Sequence, residues 1–391
     1  MNDISSRGIY TDLMRKFRDE GHHVYIVAPV ERRYKQPTSL KEEDGISILQ
    51  VKTLNIQKTN VIEKGLGILF LEEQFKRAIN KFFKNLSFDL ILYSTPPITL
   101  NKVITFLKRN NPLSVSYLLL KDIFPQNAVD LGMFSQNSIF YKIFRKKEVQ
   151  LYRNSDFIGC MSPANVDFVL KHNSFLNRNK VEIAPNSLEL SNNEVEVNRH
   201  EIREKYHLPV DKPIFIYGGN LGKPQGIDFL IQCLEQNKER TDCHFLIVGN
   251  GTEYSKLVDW YSGAYAKSIS LLNGLPKDDY DKLVQSCDVG LIFLDHRFLI
   301  PNYPSRLLSY LEYKMPIIAA TDLHTDIGRI AEENGYGYWC ESVNPDNFTA
   351  CVNQFVGHSN KIKSMGEKGY QFLLNNYLIK HTYQAIIKHL Q

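Results

Sequence analysis

The sequence lacks several features that would point to other classes of protein. It has no apolar run long enough to span a bilayer, and its polar N-terminus lacks the apolar stretch of a signal peptide, so we expect a cytoplasmic protein. Its six cysteines are scattered without a Cys-x-x-Cys pair, which argues against disulfides and zinc sites. It also has no low-complexity segment and no helix-turn-helix, zinc-finger or RNA-binding signature, so nucleic acid is not an expected partner.

The length and the charge distribution indicate two different halves. A chain of 391 residues exceeds one ordinary hydrophobic core, and two domains are expected. The net charge of +4 divides unevenly, because residues 1–187 carry 27 Lys and Arg against 18 Asp and Glu, and the remainder carries 20 against 25. The basic half therefore predicts an anionic partner, either a membrane surface or a phosphorylated substrate.

Short apolar runs alternate with helical patterns along both halves. In the first half the apolar runs lie at 24–27, 46–54, 90–93, 114–120, 157–161 and 181–184; in the second they lie at 213–217, 244–248, 268–272, 288–294 and 316–320. This alternation is typical of parallel sheets with helices on both faces. The predicted fold class is α/β, with two facing doubly wound, Rossmann-like domains: residues 1–187, a polar linker at 188–211, and residues 212–375.

Three loops of the second domain follow predicted strands and are expected at one sheet edge, where open α/β sheets bind ligands. They are 218–223, 249–251 and 301–306. The first two are glycine-rich and let the backbone approach a bulky anion, while Lys223 and Arg306 can neutralise it; Ser305 is the expected N-cap of the helix that carries Arg306. These loops predict a nucleotide diphosphate site, and plain tight turns beside a capped surface helix are the alternative. The first turn matches neither the GxGxxG nor the GxxxxGK[ST] pattern, which argues against NAD and ATP.

Motifs along nearly the whole chain are similar to one known family. They are Ser5-Ser6-Arg7 with Gly21-His22-His23-Val24, Thr95-Pro96-Pro97, Asp122-Ile123-Phe124-Pro125-Gln126-Asn127-Ala128-Val129, Ala184-Pro185-Asn186, Gly218-Gly219-Asn220-Leu221-Gly222 with Gln225-Gly226, and Pro304-Ser305-Arg306-Leu307-Leu308. The chain resembles GT-B-fold retaining glycosyltransferases of family 4, in the branch that builds bacterial O-antigens and capsules and includes N-acetyl-L-fucosamine transferases.

The resemblance implies a donor site in the second domain, an acceptor site in the first, and a C-terminal helix at 376–391 that crosses back to the first domain. It implies a UDP-N-acetyl-sugar donor such as UDP-FucNAc, a polyprenyl-diphosphate-linked sugar acceptor, and no cofactor or metal. Together with the loops it predicts Asp122, Lys223 and Arg306 as catalytic residues. The expected donor-binding residues are Gly219, Asn220, Leu221, Gly222, Gln225, Gly249, Asn250, Gly274, Leu275, Pro304, Ser305, Leu307, Ser309 and Glu312.

The sequence departs from the family pattern at several positions. Pro301 and Ser309 replace the two glutamates of the usual E-x7-E pattern, and Glu312, one helical turn further on, is the candidate substitute for the second. Asn220 and Gln225 replace a family arginine and lysine, and Lys223 and Arg306 are the candidates to carry that charge.

Two further departures lie in the first domain. The residue before Asp122 is Lys121, where many family members have histidine; for Asp122, we weigh a role in orienting an acceptor hydroxyl against N-capping or a salt bridge with Lys121. Family members also begin with a strand that this sequence lacks, so we expect the natural protein to begin upstream or another segment to fill a central gap in the sheet.

Two basic, aromatic helices predict a contact with an anionic membrane surface, at the inner face of the cell membrane. Residues 139–154 and 75–86 combine aromatic with basic side chains, and the alternative is that the aromatic residues belong to the core. Two other functions remain open: a catalytically weak partner subunit that binds a nucleotide sugar, favoured by Ser309, and a nucleotide-sugar 2-epimerase.

Overall fold

The computed structural model describes residues 4–55, 61–190, 197–264 and 266–390, without the side chains of 61–66, 68 and 69. Two compact units make up the chain. Unit 1 comprises Met1–Val129, Phe134–Glu189 and Leu378–Gln391, and unit 2 comprises Asp130–Met133 and Leu190–Tyr377.

Unit 1 alternates strands and helices. Its elements are α1 (Thr11–Asp19), β1 (Val24–Glu31), β2 (Ser39–Glu43), β3 (Ile46–Thr53), α2 (Val61–Phe82), β4 (Leu90–Thr95), α3 (Asn101–Asn110), β5 (Val115–Leu120), α4 (Gln126–Asp130), α5 (Ile139–Asn154), β6 (Phe157–Cys160), α6 (Pro163–His172) and β7 (Val181–Ile183). The described strands form two separate sheets, in the orders β1-β3-β2 and β4-β5-β6-β7, and not one continuous sheet. All pairs are parallel except β2 with β3, which is antiparallel and departs from the all-parallel expectation.

Unit 2 is a single doubly wound sheet. Its elements are α7 (Arg199–Lys205), β8 (Ile214–Asn220), α8 (Ile227–Asn237), β9 (His244–Asn250), α9 (Tyr254–Ala264), β10 (Ile269–Leu272), α10 (Lys277–Gln285), β11 (Val289–Phe293), α11 (Arg306–Glu312), β12 (Ile317–Thr321), α12 (Ile327–Glu333), β13 (Gly337–Glu341), α13 (Pro345–Asn353) and α14 (Ser359–Asn376). The strand order is β10-β9-β8-β11-β12-β13, and every pair is parallel. The chain order reverses between β8 and β11, so the loop after β8 lies at the topological switch point, where such sheets bind ligands.

A final helix, α15 (Ile379–Ile387), belongs to unit 1. Buried and half-buried polar contacts hold it there: the Ser187 and Thr382 hydroxyls are 2.8 Å apart, and His389 Nε2 lies 2.9 Å from Glu182 Oε1. The His389 ring also stacks on Phe157, with 3.5 Å between the ring centroids. Helix α15 is therefore fixed to unit 1 by both hydrogen bonds and ring packing.

The predicted α/β class with two parallel-sheet, Rossmann-like units is confirmed. Besides the divided sheet and the antiparallel pair of unit 1, two details differ from the expectation. The range 188–211 contains helix α7, and the sheet of unit 2 gains β13, which had not been predicted. Among the described residues, no helix combines the length and the apolar character that crossing a bilayer requires.

Candidate active site

The two glycine turns of unit 2, the first at 218–223 and the second at 249–251, lie side by side at the carboxyl edge of its sheet. The parallel pairing of β8 with β9 aligns Gly219 with Gly249 and Asn220 with Asn250. The Leu221 N–H donates to the carbonyl oxygen of Asn250 at 2.8 Å, which ties the first turn to the end of β9. The sequence-predicted turns are therefore brought together as one surface.

Glycine is required in these turns because other groups lie where a Cβ would be. A Cβ at Gly218 would lie 1.9 Å from Tyr280 Oη, and a Cβ at Gly251 would lie 2.4 Å from the carbonyl carbon of Leu221. Gly219 has φ +120°, a backbone conformation that side chains rarely adopt. The first turn is thus packed against the Tyr280 side chain, and the second turn is packed against the backbone of Leu221 in the first.

Gln225 closes the first turn from the other side. Its Oε1 accepts hydrogen bonds from Asn220 Nδ2 at 3.1 Å and from the Gly222 N–H at 3.3 Å. Lys223 begins the short 3₁₀ helix that contains Gln225, and its side chain is exposed. Within the described parts of the chain, the side chain of Lys223 makes no hydrogen bond or ion pair, so its amine is available to a ligand.

Arg306 is the unusual group of this edge. Its guanidinium lies over the Tyr217 ring, with 4.2 Å from Cζ to the ring centroid, and its Nη2 lies 3.8 Å from the position that a Gly219 Cβ would occupy. Its Nη1 is buried and has no hydrogen-bond partner in the described residues. A buried N–H group without a partner is unfavourable, so this geometry favours an acceptor that arrives with a ligand.

No protein group neutralises Arg306 in the part of the chain that the structure describes. The guanidinium makes no salt bridge there, and it interacts with the hydroxyls of Tyr217, Tyr280 and Tyr310, of which Tyr310 has its pKa raised by burial. Burial raises the pKa of Tyr217 and raises the pKa of Tyr280 to about 12, so both hydroxyls stay uncharged near neutral pH. Arg306 therefore leaves an uncompensated positive charge beside the two glycine turns.

The other residues predicted for the donor site differ in their contacts and in the exposure of their side chains. Asn250 Nδ2 lies 2.8 Å from where a Gly274 Cβ would be, which places the loop after β10 against the second turn. Ser305 is the N-cap residue of α11, as predicted, but its exposed side chain makes no capping hydrogen bond. The side chain of Leu307 is fully buried in the core. Leu275, Pro304, Ser309 and Glu312 are partly exposed.

Asp122 lies in unit 1, two residues beyond the end of β5. Both of its carboxylate oxygens accept hydrogen bonds from Asn127 Nδ2, at 2.8 and 2.9 Å. Burial raises the pKa of Asp122 to about 6. The alternative reading as a salt bridge with Lys121 is wrong, because among the described residues the Lys121 amine donates only to the carbonyl oxygen of Ala184, at 3.4 Å.

Sequence reasoning missed the residues that shape these sites from behind. Tyr217 and Tyr280 were not singled out, because one reads as the end of a buried strand and the other as part of an ordinary helix. Asn127 appeared only within a motif, without a role. No group of three or more His, Cys, Asp or Glu side chains is arranged to hold a metal in the described ranges.

The sequence of this chain is similar to those of known glycosyltransferases. Residues 198–372 match the family of glycosyl transferases group 1. The chain is 23% identical over 333 residues to the probable glycosyltransferase WbjE of Pseudomonas aeruginosa, covering 82% of this chain and 78% of the relative.

Two solved structures share the fold over nearly the full length. The E. coli trehalose-6-phosphate structure bound with UDP-2-fluoro glucose has a TM-score of 0.70 at 11% identity, covering 98% of this chain and 96% of that one. WaaG, a glycosyltransferase involved in lipopolysaccharide biosynthesis, has a TM-score of 0.64 at 11% identity, covering 97% and 94%. Residues 198–372, most of unit 2, thus match the glycosyl transferases group 1 family, and the chain as a whole has the GT-B fold.

Proposed function

We propose that this enzyme transfers a sugar from a UDP-sugar, of the N-acetylated type such as UDP-FucNAc, to a polyprenyl-diphosphate-linked sugar during surface polysaccharide assembly. The observation that carries the donor assignment is the uncompensated Arg306 guanidinium beside two glycine turns. A nucleoside diphosphate supplies both the negative charge and the acceptor atoms that this edge lacks. UDP-2-fluoro glucose in the E. coli relative and the role of WaaG in lipopolysaccharide synthesis agree with this proposal.

The chemistry follows from where negative charge develops. The barrier to transfer is dominated by departure of the diphosphate, and donors fixed in place before reaction stabilise that charge. Arg306 supplies a fixed donor, and the exposed Lys223 supplies a mobile cation. Front-face attack, with the leaving phosphate accepting the proton of the acceptor hydroxyl, is what family resemblance implies. Asp122, held by Asn127, orients that hydroxyl.

Calorimetric titration with UDP, GDP and ADP tests the donor assignment. We expect UDP to bind with a Kd on the order of micromolar and the other two nucleotides to bind more weakly. UMP is the matched control: without the second phosphate it should bind at least about 10-fold more weakly, because it loses charge-assisted hydrogen bonds. Failure of all four nucleotides to bind would contradict the proposal.

Product analysis separates the proposed reaction from its two rivals. Incubation with UDP-N-acetyl-sugars and a polyprenyl-diphosphate-linked sugar should give a glycoside with the anomeric configuration of the donor. Nucleotide binding without transfer to any such acceptor would favour the partner-subunit reading. Release of free UDP in the absence of acceptor would favour the 2-epimerase.

The proposal includes contact of helix α5 with an anionic membrane surface. Ile139, Phe140 and Ile143 are 65%, 61% and 48% exposed, and Lys142 and Lys146 are exposed beside them. Three other aromatic and basic residues that were predicted for this surface instead contact residues of unit 1. Phe144 packs on Phe124 with 5.0 Å between ring centroids, Arg145 pairs with Glu148, and Tyr141 donates a hydrogen bond to Gln126. Residues 75–86 do not form such a surface, since Phe75 and Phe83 are buried in the core.

Vesicle flotation tests this surface. Replacing Ile139, Phe140 and Ile143 together by serine should abolish flotation with vesicles that contain anionic lipid, and Lys142→Glu with Lys146→Glu should weaken it, since each basic residue contributes about 1 kcal/mol. The control is Leu113→Ser, which removes a 98% exposed leucine elsewhere in unit 1. Equal flotation of all variants, or equal binding to purely zwitterionic vesicles, would contradict the assignment.

A further inference from the structure

The carboxyl edge of the β4–β7 sheet holds a lysine without a counter-charge. Lys121 follows β5 directly, and its amine reaches the carbonyl oxygen of Ala184, just beyond β7, at a distance of 3.4 Å. In the described part of the chain this long hydrogen bond is the side chain's only polar contact, and it forms no ion pair. An ammonium group has three donors, so at least two are unused here.

The groups near Lys121 do not supply the missing negative charge. Burial lowers the pKa of the Lys121 amine to about 7, because no carboxylate offsets the loss of water. The thiol of Cys160 ends the intervening strand, and burial raises its pKa, so it is uncharged. The carboxylate of Asp122 is engaged by Asn127, and its own pKa is raised to about 6.

Two amide oxygens at the same sheet edge have no donor among the residues that the structure describes. Asn127 uses its Nδ2 for Asp122, and its Oδ1 is buried without a partner. Asn186, three residues beyond β7, is 9% exposed, and its Oδ1 is also buried without a partner. Oxygens of this kind accept hydrogen bonds from hydroxyl or N–H groups, and buried ones are nearly always satisfied. This edge therefore has a lysine without a counter-charge and two amide oxygens without hydrogen-bond donors. A sugar with an anionic substituent supplies both the negative charge and the hydroxyl donors.

We propose that this edge of unit 1 is a subsite for a sugar that carries a phosphate or a carboxylate, with the anion on Lys121 and sugar hydroxyls on Asn127 and Asn186. The inference rests on the proposed function, because it assigns the acceptor class: the sugar next to the attacked hydroxyl is anionic. The anion comes either from the diphosphate of a lipid-linked acceptor or from a uronic acid in the growing chain.

Direct binding of small probes tests the subsite without any turnover. The probes are N-acetylglucosamine 1-phosphate, glucuronate and neutral N-acetylglucosamine, titrated against the full chain. We expect one anionic probe to bind at least about 10-fold more tightly than the neutral sugar, and Lys121→Met to lower its affinity about 10- to 100-fold. Lys121→Arg should retain part of the affinity, and UDP affinity should be unchanged in both variants. The anionic probe that binds names the source of the charge.

The control is Lys180→Met. Lys180 is also a partly buried lysine whose pKa burial lowers, but it lies directly before β7, at the opposite edge of the sheet. Its loss should leave probe binding unchanged. Equal binding to wild type and Lys121→Met, or an equal loss in Lys180→Met, would overturn the subsite.

Two further outcomes separate this inference from the donor assignment. If UDP binds and neither anionic probe does, the subsite is wrong and the donor site stands; if a probe binds and UDP does not, the reverse holds. A lower melting temperature in Lys121→Met with unchanged probe affinity would show that Lys121 only ties β5 to the segment after β7, and would also overturn it.

Discussion

Replacing Arg306 with methionine should lower UDP affinity and kcat/KM by about 100-fold or more while leaving the free energy of unfolding unchanged or higher. The loss follows because a fixed donor aimed at developing charge contributes on the order of 100- to 1000-fold to the rate. Stability should not fall, because the substitution removes a guanidinium whose Nη1 has no partner and keeps an unbranched side chain against the Tyr217 ring. Calorimetry with UDP, initial rates and urea unfolding measure the three quantities.

Two further variants sharpen this test. Arg306→Lys keeps the charge but loses the planar group that stacks on Tyr217, so it should recover only part of the affinity. Arg329→Met is the matched control, because Arg329 lies on α12 of the same unit, is exposed and pairs with Glu333. It should change neither UDP affinity nor rate. If Arg306→Met unfolds more easily yet binds UDP normally, Arg306 is a structural cation and the donor site lies elsewhere.

The strand and helix alternation could be predicted wherever an element buries a full apolar run. The elements that were missed lack such runs. Strand β2 (SLKEE) has three charged residues and no fully buried position, and helix α7 (RHEIREK) contains a single apolar residue, Ile202. Strand β13 (GYWCE) is short and has no β-branched residue. These elements form because neighbours already in place pair or pack with them, which a local pattern does not reveal.

The site shows the same division between local and long-range information. The glycine turns could be found because glycine next to the end of a buried strand is a local signal for close backbone approach. The contacts that pack the first turn and place a guanidinium beside it join distant parts of the chain. Tyr280 lies against Gly218, and Arg306 lies over the Tyr217 ring. The sequence likewise does not reveal that Lys121 makes no ion pair among the described residues. The neighbouring Asp122 looks like its counter-charge, but the structure pairs the Lys121 amine with the Ala184 carbonyl instead.

Replacing Gly251 with alanine should destabilise the protein by about 2 to 4 kcal/mol and lower UDP affinity at least about 10-fold. The new Cβ would lie 2.4 Å from the carbonyl carbon and oxygen of Leu221, and backbone atoms cannot rotate away as a side chain can. The two turns must then separate, which strains the 2.8 Å bond from the Leu221 N–H to Asn250 and the 2.9 Å bond from the Glu253 N–H to Leu221. Urea unfolding and calorimetry with UDP measure the two effects.

Gly263→Ala provides the control for Gly251→Ala, because it makes the same chemical change in the same unit without a clash. Gly263 lies in α9 with no atom within 4 Å of its would-be Cβ, and alanine in a helix is favoured over glycine by about 0.5 to 1 kcal/mol. This variant should therefore be slightly more stable and bind UDP normally. If Gly251→Ala instead matches wild type in both stability and UDP affinity, the close packing of the two turns is not what shapes the donor site. If it loses stability but keeps its UDP affinity when folded, the turns pack as described but the nucleotide binds elsewhere. Only the combined loss of stability and UDP affinity, set against a Gly263→Ala variant that loses neither, ties the paired glycine turns to donor binding.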